Sequence, residues 1–149
     1  MLIIEEADPR APHVRALLEQ SHALMIDLFP PEDNYFLEID ALCAPEVHFI
    51  IAREGDTTLG TAAIVNKGSY GEIKSMFTTP EARGKGVAAA LMRALEDHAR
   101  AAGLTMLKLE TADSLPEAIR LYERQGFARC ARFGDYAPNT TSVFMQKRI

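Results

Sequence analysis

Apolar residues recur along this chain in two rhythms, one near 3.6 residues and one near two, and the places where the rhythm changes mark the elements. Residues 2–5 form a short apolar start that reads as an edge strand. Asp8-Pro9 follows, an N-cap residue with proline at the first helical position, which predicts a helix beginning there. Val14, Leu17, Leu18, Ser21, Leu24, Met25 and Leu28 fall on one helical stripe, expected to be buried, and Phe29-Pro30-Pro31 stops it. Tyr35, Phe36, Ile39 and Leu42 predict a second, short helix, ended at Ala44-Pro45 because the residue before a proline is pushed out of the helical region.

The period then changes to that of strands. Residues 47–52 and 59–65 are β-rich runs separated by Glu54-Gly55-Asp56, which is turn chemistry for a hairpin. Asn66-Lys67-Gly68-Ser69 makes a second turn into residues 70–78, so that three strands form an antiparallel meander. Helical spacing returns with Val87, Ala90, Leu91, Ala94, Leu95 and His98, over roughly residues 86–102, with Gly103 as the residue that ends the helix. Residues 105–111 form the next strand, parallel to 70–78 because a helical crossover joins them. Ser114-Leu115-Pro116-Glu117 has capping-box spacing and opens a last helix through Gln125, stopped by Gly126; residues 127–133 and 141–147 close the chain as strands. The expectation is a single α+β domain over residues 1–149, with a mixed, mostly antiparallel seven-stranded sheet flanked by about four helices.

Composition narrows the function classes. At 48% hydrophobic and 25% charged residues the chain can bury an ordinary globular core. Its net charge of -5 supplies no basic field for nucleic-acid phosphates. No apolar run approaches the ~20 residues that span a bilayer, and the acidic start lacks the basic then apolar order of a secretory signal, so the expected location is cytoplasmic, without membrane partners. Cys43 and Cys130 lie far apart, and His13, His22, His48 and His98 are scattered without carboxylate companions, so neither a disulfide framework nor a metal site is expected.

The chemically informative segment is residues 79–91, Thr-Pro-Glu-Ala-Arg-Gly-Lys-Gly-Val-Ala-Ala-Ala-Leu, between a strand and an amphipathic helix. A helix N-terminus offers unpaired N–H groups and the positive end of the helix dipole to an anion. Gly84 and Gly86 let the main chain approach a pyrophosphate closely, and Arg83 and Lys85 add charge beside it. Three readings compete. The plainest is an unliganded glycine-containing turn. A dinucleotide loop is the second, since Gly84, Gly86 and Ala89 satisfy G-x-G-x-x-A and Glu110 lies where an acidic ribose ligand would be sought, but only one βαβ unit surrounds it. A Walker A loop fails because Gly86 follows Lys85 where Ser or Thr would hold magnesium.

The third reading is a resemblance. Arg83-Gly84-Lys85-Gly86-Val87-Ala88 resembles the R/Q-x-x-G-x-G/A pyrophosphate loop of the GCN5-related N-acetyltransferases, and Ala118-Ile119-Arg120-Leu121-Tyr122-Glu123-Arg124-Gln125-Gly126-Phe127 resembles that family's A-x-x-L-Y-x-x-x-G-F segment. The elements between them agree in number and order over essentially the whole chain. Gly71-Glu72-Ile73-Lys74, Leu109-Glu110-Thr111, the 133–136 segment Phe-Gly-Asp-Tyr and Ser142-Val143-Phe144-Met145 are similar to a bacterial subgroup known as indole-acetate or YsnE-like acetyltransferases. One departure stands out: where many members have Asn seven residues before the helix tyrosine, contacting the CoA arm, this chain has Leu115, with Ser114 adjacent.

The resemblance implies an acetyl-CoA N-acyltransferase fold and transfer of acetyl from acetyl-CoA, as co-substrate without a metal, to a primary amine of a small molecule or peptide. It implies that Arg83, Gly84, Lys85, Gly86, Val87 and Ala88 hold the pyrophosphate. Met76, Phe77, Thr78 and Ser114 would meet the pantetheine arm, and Tyr122 would protonate the departing thiolate. Acetyl transfer also needs a base for the amine. Strand alternation puts Glu72, Lys74 and Met76 on one face and Ile73, Ser75 and Phe77 on the other, making Glu72 the first candidate and Glu110 the second. Tyr122 as a packing aromatic and Glu72 as an exposed strand residue are the plainer alternatives. Residues 29–35 and 133–136 carry acids and aromatics suited to a cationic amine with an apolar body, or are ordinary solvated loops. A non-catalytic acetyl-CoA-binding regulatory module is the rival function, and a homodimer is left open.

Overall fold

The run from residue 58 to 65 is mostly small or β-branched, and in the computed structural model, which describes residues 1–149, every one of those side chains is buried. A strand covered on both faces has to lie inside a sheet with layers above and below it. That strand, β3 (Thr57–Asn66), sits third in a seven-stranded sheet. Its companions are β1 (Leu2–Glu6), β2 (Val47–Glu54), β4 (Gly71–Thr78), β5 (Met106–Ala112), β6 (Ala128–Arg129) and β7 (Ser142–Arg148), in the order β1-β2-β3-β4-β5-β7-β6. All neighbours are antiparallel except β4 and β5, which are parallel and joined through the crossover helix α2 (Val87–Ala101).

Alternation along β2 and β3 divides the core between two layers. Ile50, Ala52, Ala62 and Ile64 face Val87, Leu91, Met92 and Leu95 of α2 and Ile119 and Tyr122 of α3 (Pro116–Arg124). Phe49, Ile51 and Ala63 face the opposite way, toward Val14 and Leu18 of α1 (Pro12–Leu28) and toward Ile39 and Leu42. Gly60 sets how close α2 comes: a Cβ there would lie 2.8 Å from the Phe77 carbonyl oxygen and 2.9 Å from Val87 Cγ1. The end of α2 is a Schellman closure, in which Leu104 N–H donates to the Ala99 carbonyl and Gly103 N–H to that of Arg100, with Gly103 at φ +83°.

The crossover and all but the sixth of the strand expectations hold, and five local ones change. Helix α1 starts at Pro12 rather than at Asp8, because Asp8 Oδ1 accepts from the Arg10 N–H at 2.9 Å and keeps residues 8–11 in a turn. Its outer stripe residues are not buried: Leu24 is 37% and Leu28 49% exposed, since the second half of α1 walls a cleft instead of covering the sheet. The short helix expected around residues 35–42 does not form. Asn34 Nδ2 donates to the Phe29 and Pro30 carbonyls and Lys74 Nζ donates to the carbonyl of Tyr35, diverting that stretch from a helical ladder; only 3₁₀ turns at Pro31–Asp33 and Ala41–Cys43 remain. The molecule thus has three α-helices, not about four. Ser114 makes no cap: the N-cap of α3 is Leu115, with Pro116 opening the helix. The strand expected over residues 127–133 shrinks to Ala128–Arg129, because Phe133 turns in to pack edge-on against Phe144 and Gly134 adopts φ +60°.

Candidate active site

Strands β4 and β5 start as a parallel pair and then part. Only Gly71 with Leu107 and Glu72 with Lys108 are in register; beyond them β4 pairs with β3 alone and β5 with β7 alone. A bulge adds to the divergence. Thr61 pairs with Phe77 and Ala63 with Lys74, so Ser75 and Met76 together oppose Ala62. Ser75 adopts φ +55°, its carbonyl accepts from Thr61 Oγ1 at 2.8 Å, and its own hydroxyl is buried without a partner. A non-glycine residue held there costs of order ~1–3 kcal/mol and concentrates at functional sites. The extra residue also overturns the alternation expected for this strand: Met76 packs with Ile73 on the α2 and α3 side, while Phe77 falls in register with Thr61.

The gap is the floor of a cleft. One wall is Leu115, Ala118 and Tyr122 of α3; the other is Met25 and Phe29 from the end of α1 with Asp33, Asn34, Tyr35 and Phe36; Met76 and Glu110 lie between them. At the end of β4 the chain passes through the 3₁₀ turn Pro80–Ala82 into the glycine loop. Gly84 and Gly86 take φ +82° and +76°, and a Cβ on either would meet nothing within 4 Å, so the loop is an open surface cradle rather than a packed corner. Gly86 is the N-cap of α2, and the Val87, Ala88 and Ala89 N–H groups donate to no carbonyl. Arg83 and Lys85 are exposed beside them.

Tyr122 is buried against Phe127, ring centroids 5.9 Å apart, and its hydroxyl has no hydrogen-bond partner although the residue lines the cleft. Burial, assisted by the nearby Glu110 charge, pushes that phenol up to about 12, so the proton is held at neutral pH. Burial likewise raises the Glu110 carboxyl, opposed by a hydrogen bond from Ser142 Oγ at 2.7 Å and by Lys74.

The two carboxylates weighed as bases are not equivalent. Glu110 lines the cleft; Glu72 does not, and at 4% exposure it is no surface residue. Glu72 Oε2 accepts from the Tyr136 hydroxyl at 2.5 Å and lies 3.7 Å from Lys74 Nζ. Lys74 Nζ donates to Tyr136 Oη at 2.7 Å and to the Tyr35 carbonyl at 2.8 Å. Desolvation lowers the Lys74 ammonium, partly offset by Glu72 and Glu110. Ser114 is exposed and outside the cleft lining, whereas Leu115 is within it. Sequence reasoning named Ser142 and Tyr136 only within segments of resemblance and missed their bonds to Glu110 and to Glu72, both of which join residues distant in the chain.

Comparison with known proteins places the chain in a family. Residues 14–127 match the model of the acetyltransferase (GNAT) family. The chain is 40% identical to an IAA acetyltransferase of Azospirillum brasilense over 98% of this chain and 97% of that one. It is 37% identical to the N-acetyltransferase YsnE of Bacillus subtilis over 88% of each. A crystal structure from Klebsiella pneumoniae, assigned as an acyl-CoA N-acyltransferase, superposes with a TM-score of 0.82 at 30% identity, covering 99% of this chain and 97% of that one. This chain is accordingly an acetyl-CoA-dependent acyltransferase, and it belongs to the acetyltransferase (GNAT) family.

Proposed function

We propose that this enzyme transfers the acetyl group of acetyl-CoA to a primary amine of a small molecule or peptide, by direct attack on the thioester in the cleft between β4 and β5. The observation that carries the proposal is that β4, parted from β5 where it borders a cleft holding an unpartnered, proton-bearing tyrosine hydroxyl, leads through the glycine loop into a helix N-terminus with free N–H groups.

The residues fit acetyl-CoA as co-substrate. The Val87 and Ala88 N–H groups, with Gly84 and Gly86 keeping the loop open and Arg83 and Lys85 adding charge, would hold the pyrophosphate. The edge of β4 at Met76, Phe77 and Thr78, left without a strand partner on the β5 side, would receive the pantetheine arm, with Leu115 and not Ser114 beside it. The co-substrate supplies an activated acyl carbonyl. The amine's lone pair forms the new C–N bond as the C–S bond breaks; Tyr122 gives its proton to the leaving sulfur, and Glu110 takes the proton released by the amine. Glu110 rather than Glu72 has this role because it faces the cleft, and a carboxyl raised by burial is a stronger base at neutral pH. Glu72 serves as counter-charge to Lys74.

Thiol release from acetyl-CoA across primary amines, amino acids, polyamines and peptides tests the reading. IAA is included because a relative bears that name. Release that depends on an amine and yields its acetyl amide is expected, together with calorimetric binding of CoA and not NAD. Gly86→Glu should abolish CoA binding in a folded protein, since it puts an anion at the pyrophosphate position. A chain that binds CoA but releases no thiol with any amine would be a binding module instead.

A further inference from the structure

We propose that Lys74 is a positioning residue that fastens the acceptor wall of the cleft to the sheet. The assignment of that wall rests on the acetyl-transfer reading above. Residues 34–38 contribute Asn34, Tyr35 and Phe36 to the cleft yet belong to no helix or strand. Their main chain is joined to the sheet by one hydrogen bond, from Lys74 Nζ to the Tyr35 carbonyl at 2.8 Å. The same ammonium donates to Tyr136 Oη at 2.7 Å, and Tyr136 and Tyr35 meet edge-on at 5.1 Å, with Asn139 Nδ2 reaching Tyr35 Oη at 3.4 Å. Lys74 therefore holds two segments, one before β2 and one before β7, against the same point of β4.

An ammonium has three N–H donors. In Lys74 two are taken by Tyr35 and Tyr136, and the third has Glu72 Oε2 at 3.7 Å. Lys74 lines the cleft, yet its head group has a protein acceptor for two N–H groups and a carboxylate near the third. A buried ion pair is weak evidence of stability, because an apolar pair of similar volume serves a core as well or better. What an apolar side chain cannot supply is a hydrogen bond to an irregular main chain and to a loop tyrosine at once. The wall toward α3, with Leu115, Ala118 and Tyr122, makes no hydrogen bond with this head group, so the two sides of the cleft should respond differently to its loss.

The test uses the full chain with three variants: Lys74→Met, Lys74→Arg, and Lys74→Met combined with Glu72→Gln, which leaves no uncompensated buried charge if the single variant fails to fold. Amide hydrogen exchange comes first, because it needs no substrate. Exchange of the Asp33 and Asn34 amides, which donate to the Pro30 and Pro31 carbonyls beside the clamped Tyr35, should accelerate about tenfold in the Met variants and return toward wild type with Arg, while α2 and β5 keep their rates. In kinetics with 2-phenylethylamine as acceptor, KM for the amine should rise about tenfold while KM for acetyl-CoA stays within about twofold. Unchanged exchange at Asp33 and Asn34 of a folded Met variant overturns the clamp, as does an equal rise in both KM values, which would mark a general structural role. A wild type that acetylates no amine while the exchange effect is present overturns the acetyl-transfer reading and leaves the clamp standing.

Discussion

The Tyr136 hydroxyl donates a hydrogen bond to Glu72 Oε2 at 2.5 Å, across 64 residues of sequence. Burial raises that phenol far above its ordinary range, and Glu72 raises it further, because deprotonation would set two anions against each other. The bond is therefore fixed in direction, with the tyrosine as donor. It satisfies a carboxylate that β4 would otherwise bury with Lys74 alone for company.

Tyr136→Phe should accordingly destabilise the fold without disturbing the aromatic packing around Phe133 and Phe144. Hydrogen bonds to charged groups are worth about 1.5–3 kcal/mol, and a loss of that size in urea unfolding is expected. A loss below about 0.5 kcal/mol, within the range of ordinary surface substitutions, would mean that water replaces the hydroxyl at Glu72.

Glu110→Gln separates catalysis from stability by pH. The folded carboxyl is raised by burial above its ordinary 4.5, so the charge weakens the fold: the contribution present below that value is lost as pH rises through the higher folded pKa. Glutamine keeps an acceptor for Ser142 Oγ and carries no charge. The variant should therefore match wild type near pH 4 and become relatively more stable toward neutral pH, measured as the difference in Tm. Turnover should fall at least about 100-fold, the lower end of what general base catalysis contributes, and kcat/KM should lose the acid limb that Glu110 gives the wild type. A variant with wild-type turnover at every pH would remove Glu110 from the mechanism.

How much of this could be read beforehand depends on whether local pattern or distant contact decides each feature. The strands, the crossover helix and the glycine loop are local: two-residue alternation, 3.6-residue spacing and Gly86 ahead of Val87 specify them directly. The bulge at Ser75 and Met76 is not, since it is a register shift visible only against Thr61 and Ala63, and it moved Met76 to the other face. The missing helix after Pro31 failed for the same kind of reason: Lys74, from another strand, takes the Tyr35 carbonyl. Of the base candidates, Glu72 and Glu110 look alike in sequence. Only their surroundings distinguish them, Tyr136 and Lys74 for one and the open cleft for the other.

Leu115→Asn restores the residue that the resemblance places seven positions before the tyrosine. Leu115 lines the cleft and is the N-cap of α3, which has no side-chain cap. An asparagine there gains an acceptor for the helix N–H groups and an amide for the CoA arm. One added hydrogen bond is worth about 0.5–1.5 kcal/mol, so CoA should bind about two- to twelvefold tighter by calorimetry. Weaker binding would show that the arm contacts Leu115 through its apolar surface.

Tyr122→Phe isolates the proton of the proposed acid. The ring, its packing on Phe127 and the surrounding core are kept, and the lost hydroxyl has no protein hydrogen-bond partner, so stability and CoA affinity should change little. Chemistry should not be spared. With the phenol held up to about 12, the residue is protonated across the working pH range and cannot act as a base; its contribution is the proton it delivers to sulfur. General acid catalysis is worth about 100- to 10,000-fold, so turnover should fall by at least the lower figure where proton transfer limits it. A smaller fall in steady state has two sources, limiting product release in the wild type or a tyrosine that only packs. Single-turnover kinetics with enzyme in excess separate them, because they report the chemical step alone. Equal single-turnover rates for the variant and the wild type would make Tyr122 a packing residue and send the search for the acid to the water of the cleft.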